Sequence, residues 1–157
     1  MNLWQTFEIK NNSDTCSKGI SLHYQEGIEE NLKRKYISFA KWLRKNYVFP
    51  VHINIYILNC EKVLLKNGIW AYGSFKWFPK RPPYIRIPSA IETELLSEYS
   101  KEEIYEQILS SLVHELTHYF QWVLDLEQSN ATSERQAHYY RYRIIDKYNA
   151  DLSNKSK

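Results

Sequence analysis

Apolar and polar positions along this chain alternate in two rhythms. From roughly Gln25 to Asn46, Ile28, Leu32, Phe39 and Leu43 recur at helical spacing with Lys and Glu between them. This predicts an amphipathic helix, and Pro50 provides a natural stop. In Val51–Ile57 the isoleucines alternate with more polar residues, which predicts a strand with one buried face. Residues 61–66 show no clear period and close at the turn pair Asn67-Gly68. Ile69–Trp77 reads as a second strand with Gly73 placed to form a bulge. Tyr84–Ile87 reads as a short third strand ahead of Pro88, a residue suited to a strand end or a sheet edge.

Helical signals return at Ser100-Lys101-Glu102-Glu103, a capping box that predicts a helix from about Lys101 to Leu124. Ser133-Glu134-Arg135-Gln136 has the same form and predicts a last helix reaching about Tyr148. A cap at Asn130 would start that helix a turn earlier. The expected class is therefore α+β: an N-terminal helix, a small, mostly antiparallel sheet of three to four strands, and two helices. No repeat or linker divides the chain, so residues 1–150 read as one domain and 151–157 as a polar, fraying tail.

The first of the two C-terminal helices carries His114-Glu115-Leu116-Thr117-His118. Residues four apart lie one above the other on a helix, so His114 and His118 can aim two imidazole nitrogens at one ion. Zinc takes such ligands tetrahedrally, and a catalytic site leaves one position open. Glu115 lies about 100° around the helix, beside the ion, where it can act as general base on a water. Leu109, Leu112, Leu116, Phe120 and Val123 gather on the opposite face, which leaves the histidines on a less apolar stripe with Gln107, Ser110, Ser111 and Gln121. For the third ligand, Glu134 and His138 both begin the next helix and are themselves four apart. Glu134 is preferred because a carboxylate completes a known catalytic set. His138 is the alternative ligand, or a group that stabilises an oxyanion or orients a ligand. Tyr139, Tyr140 and Tyr142 offer phenolic donors, and Asp125 and Glu127 offer carboxylates, with packing and solvation as their ordinary roles. His23 and His52 lie far off in sequence and read as structural or exposed.

Composition sets limits on partners. At 157 residues the chain can bury a core without staples. Cys16 and Cys60 form neither a disulfide framework nor a C-x-x-C pair, in keeping with reduced thiols in a cytoplasmic protein. The first residues do not have the pattern of a signal peptide, and no apolar run reaches membrane-span length, so no membrane partner is expected. A net charge of +3 does not argue for nucleic acid. Lys76, Trp77, Lys80, Arg81, Tyr84 and Arg86 nevertheless form a basic-aromatic stretch that could meet phosphates and bases. A zinc-containing regulatory or nucleic-acid-associated module with little turnover is thus the rival to an enzyme. A closed, four-ligand structural zinc site using His138 is a third reading.

On His114-Glu115-Leu116-Thr117-His118 and Glu134-Arg135-Gln136-Ala137 the chain resembles the zincin metallopeptidases of the gluzincin type, whose small members carry an E-x-x-A pattern. It is similar in style to the ImmA/IrrE-like and SprT-like groups. The SprT-like pattern uses a third histidine, which would move that role to His138. The resemblance spans residues 26–148 and implies a minimal zincin-like domain. It also implies zinc on His114, His118 and Glu134, Glu115 as base, and a peptide or protein substrate. A strand before the metal helix, Ala71–Phe78 or Tyr84–Ile87, would align that substrate by backbone pairing.

Overall fold

The computed structural model describes residues 2–9 and 19–155. Cys16 lies outside them; Cys60 is half-buried, and burial pushes its thiol pKa up. The chain runs through helix α1 (Leu3–Thr6), strand β1 (Ile20–Tyr24), α2 (Glu30–Asn46), β2 (Ile53–Leu58), β3 (Val63–Leu64), β4 (Trp70–Ala71), β5 (Ser74–Lys76) and β6 (Tyr84–Pro88). A short 3-10 helix (Thr93–Ser97), α3 (Lys101–Val123) and α4 (Asn130–Lys155) complete it. The class is α+β, with a four-stranded sheet in the order β1-β2-β6-β5 and a two-stranded β3-β4 ribbon.

The sheet is mixed rather than mostly antiparallel. β1 pairs parallel to β2, β2 parallel to β6, and only β5 runs antiparallel to β6. One of the two parallel pairs comes from β1, a strand absent from the expected order. Placed ahead of α2, it makes that helix the crossover that a parallel pair requires. Gln25 extends this pairing, donating its N–H to the Ile57 carbonyl (2.9 Å), so the helix begins at Glu30 and not at Gln25. The expected strand over Ile69–Trp77 is broken at Gly73: Trp70–Ala71 pairs with β3 and Ser74–Lys76 with β6. Tyr84–Pro88 is an interior strand, which leaves β5 as the edge.

Ile53, Ile55 and Ile57 of β2, with Ile85 and Ile87 of β6, point into a core shared with the helices. Alternate residues such as Asn54 and Tyr56 face outward, as period-2 side-chain geometry demands. His23 and His52 sit on that outer face, bonded to Asn54 and Ser21 and apart from the cleft described below. The N-terminal turn locks onto the back of α3. Trp4 is fully buried, meets Tyr47 and Phe120 edge-on, and donates Nε1–H to Thr117 Oγ1 (2.9 Å). Leu3 N–H donates to the Tyr140 hydroxyl (2.8 Å), tying α1 to α4 as well.

The capping box at Ser100 and Glu103 forms with both of its hydrogen bonds. At the other end α3 stops on Asp125, which adopts φ of 51°. Asp125 N–H reaches the Trp122 carbonyl (3.0 Å) and Leu126 N–H the Gln121 carbonyl (3.1 Å), the paired bonds of a Schellman stop. Asp125 thus ends the helix rather than orienting a histidine. The chain turns back sharply, Ser129 Oγ caps α4 by accepting from Thr132 N–H (3.2 Å), and α4 returns antiparallel to α3. The residues expected to fray from Asp151 on are helical to Lys155, and Asp151 accepts from Trp42 Nε1–H (2.7 Å). No helix among the described residues is long and apolar enough to cross a membrane.

Candidate metal centre

The polar stripe of α3 is the seam along which α4 packs. Going down α3 and up α4, Gln121 meets Ser133 and Gln136, His114 and His118 meet Glu134, and Ser110 and Ser111 meet Arg141. Ser110, Ser111 and Gln121 are therefore buried despite their polarity, each with hydrogen-bonding partners.

His114, His118 and Glu134 come together at the middle of this seam, with one ligand atom from each lying within 4.8 Å of the others. His114 Nε2 is 3.1 Å from Glu134 Oε2, and His118 Nε2 is 2.9 Å from Glu134 Oε1. His138 does not join them. On α4 the face turned inward is defined by Ala137, Tyr140, Ile144, Ile145 and Tyr148. At about 100° per residue Glu134 lies on the flank of that face nearest the histidines, whereas His138 rotates away. It is exposed, edge-on to Tyr142. Tyr140 packs under α1, and exposed Tyr139 lies beneath Arg143, so neither lines the cleft.

The donor set has the chemistry of a cation site. The Ser133 carbonyl is an obligate acceptor, so the Gln121 group facing it (3.1 Å) is the amide Nε2. Gln121 Oε1 then faces His118 Nδ1 (2.8 Å), which must carry the proton. His118 Nε2 is left facing a carboxylate oxygen. His114 is held neutral, its pKa lowered to about 4 by burial first and then by His118. Its Nδ1 is buried with no hydrogen-bonding partner among the described residues. Two imidazole nitrogens facing the two oxygens of one carboxylate form a donor set suited to holding a cation between them. The edge of a tetrahedron with zinc–nitrogen bonds of 2.0–2.1 Å is about 3.3 Å, close to the two His–Glu separations found.

Glu115 is 8% exposed and forms the floor beside this point. Burial pushes its carboxyl up to about 8, the nearby Glu134 charge adds to this, and Arg141 opposes it. Gly73 sits directly over it. A Cβ there would lie 3.1 Å from both Cγ and Oε1 of Glu115, so the glycine keeps the carboxylate unobstructed. The site opens into a cleft of about 850 Å³, walled on one side by Tyr72–Phe75 and at one end by the Trp77–Trp122 stack.

The basic-aromatic stretch is dispersed. Arg86 donates to Ser74 Oγ and the Leu64 carbonyl, Arg81 covers Phe78, Tyr84 stacks on Phe78, and Trp77 belongs to the cleft. The roles of Gln121 and Arg141 were not anticipated. Their signal lay in spacing: Gln121 follows His118 by three residues and Arg141 follows Glu134 by two helical turns, so each shares a face with a site residue. No family model, curated protein or solved structure matches this chain.

Proposed function

We propose that this protein is a zinc-dependent peptidase, with His114, His118 and Glu134 as the metal ligands and Glu115 as the general base. The supporting observation is the meeting of three potential ligand atoms at the floor of a cleft, with a buried carboxylate alongside. When bound, zinc supplies Lewis acidity that polarises a peptide carbonyl and makes a water acidic near neutral pH.

The remaining work falls to the chain. Gln121 holds the His118 ring in the tautomer that presents Nε2. Glu115, buried beside the three ligands, would act in its ionised form, taking a proton from the attacking water and returning it to the leaving amine. The free edge of β5 runs along the cleft and offers backbone groups to an extended peptide. A closed structural site would need a fourth side chain, and no further His, Cys, Asp or Glu joins the three among the described residues.

The test is metal analysis alongside cleavage of a fluorogenic peptide library. Wild type should carry one zinc per chain, Glu134→Ala should lose it, and His138→Ala should retain it. Glu115→Gln should keep zinc while hydrolysis falls by about a hundredfold or more. A fully active Glu115→Gln protein would overturn this function, as would a wild type that binds no zinc.

A further inference from the structure

Arg141 is the only Lys or Arg among the described residues lining the metal cleft. Its Nε donates to Ser110 Oγ and its Nη2 to Ser111 Oγ, each at 2.9 Å. Both serines are buried, and both hydroxyls donate onward to the Gln107 carbonyl, so their lone pairs are directed at the guanidinium. The cation is therefore held rigidly by neutral groups. Of the five N–H donors of a guanidinium, those on Nη1 have no hydrogen-bonding partner among the described residues. A half-buried charge whose hydrogen bonds all go to neutral groups keeps capacity to bind an anion, even with the Glu115 carboxyl nearby.

Arg141 also stands between two cavities. A second cavity of about 500 Å³, with Leu95, Ile104 and Ile108 in its lining, adjoins the cleft and shares Tyr72, Ser111 and Arg141 with it. A peptide continuing past Glu115 into this cavity must pass the guanidinium.

We propose that Arg141 is a carboxylate-binding subsite at the junction of the two cavities, so that preferred substrates carry a carboxylate close to the scissile bond. That carboxylate is either the C-terminus of the peptide or an Asp or Glu side chain. The inference rests on the peptidase reading. Merely balancing the charges of Glu115 and Glu134 would make Arg141 matter equally for every peptide. A carboxylate subsite makes it matter selectively.

The experiment measures equilibrium binding by calorimetry, using the zinc-loaded full chain with Glu115→Gln to prevent turnover. The probes are an N-acetylated alanine-rich pentapeptide with a free C-terminus, its C-terminal amide, and amides with one Glu scanned through the sequence. An Arg–carboxylate hydrogen bond should tighten binding by about tenfold or more over the neutral amide. Preference for the free acid assigns a C-terminal carboxylate, and preference for a Glu-containing amide assigns a side chain. Either preference should vanish in Arg141→Gln and survive in part in Arg141→Lys. The comparison of acid with amide needs no change at Arg141, so it holds even if those variants fold poorly. Equal binding of all probes overturns the subsite alone, as does an equal loss for all of them in Arg141→Gln. No binding of any probe overturns the peptidase reading, and the subsite with it.

Discussion

Gln121→Met provides a direct test of how the metal helix is organised. In the native protein Gln121 is 7% exposed and joins both helices: Oε1 accepts from His118 Nδ1–H (2.8 Å) and Ser133 Oγ (2.7 Å). Its Nε2 donates to the Ser133 carbonyl (3.1 Å) and Gln136 Oε1 (2.8 Å). Methionine fills a similar volume but removes all four bonds. His118 Nδ1 keeps only Ser133 Oγ, at 3.2 Å. Loss of a partner that orients a metal-binding histidine costs about 10–100-fold in metal affinity, or about 1.4–2.7 kcal/mol. The Ser133 carbonyl still accepts within α4, so the stability loss should be modest, about 2–4 kcal/mol for the bonds removed. Zinc affinity would be measured by competition with a chromophoric chelator, and stability by urea unfolding of the metal-free protein. Gln121→Glu is the matched control. It retains an acceptor toward His118 but loses the donor toward Ser133, so affinity should stay within about threefold while stability falls. Wild-type zinc affinity in Gln121→Met would refute the claim that this side chain sets the His118 tautomer.

Gly73→Ala should leave zinc content unchanged and lower peptide hydrolysis by about tenfold, because the new Cβ displaces the Glu115 carboxylate; undiminished turnover would contradict the close packing. Trp4→Phe should cost about 1–3 kcal/mol in urea unfolding, through lost ring volume and the lost bond to Thr117. Glu29 joins the starts of α2 and α3, and its carboxyl is held below the ordinary range by the Tyr105 hydroxyl first and by Lys101 as well. A lowered folded pKa means that this stabilisation is complete above the unfolded value of about 4.3 and disappears as pH falls through the folded one. Wild type should therefore melt above Glu29→Gln at pH 7, with the gap closing in acid. A gap independent of pH would exclude the ionised carboxylate as its source.

What could be read from the chain alone was what local geometry dictates. Ser100 and Glu103 form the expected capping box, whereas the same pattern at Ser133 and Gln136 lies inside α4, with both side chains bonded to Gln121. The bounds of α3 and the placing of His114, Glu115 and His118 on it follow from helical period alone. The alternating isoleucines of β2 declare a buried face whatever their neighbours. Tertiary structure decided everything that depends on a distant partner. Ile20–Tyr24 is a strand because it pairs with β2, and that pairing adds a second parallel pair to the one β2 makes with β6. Tyr84–Pro88 became interior and Ser74–Lys76 the edge only once strand order was set. Glu134 and His138 share a helical spacing, so no count of residues separates them. The choice came from the rotation of α4, fixed by burying Ala137, Ile144, Ile145 and Tyr148. That packing sets Glu134 against the histidines, while His138, one turn further along and about 40° further from the buried face, stands in solvent.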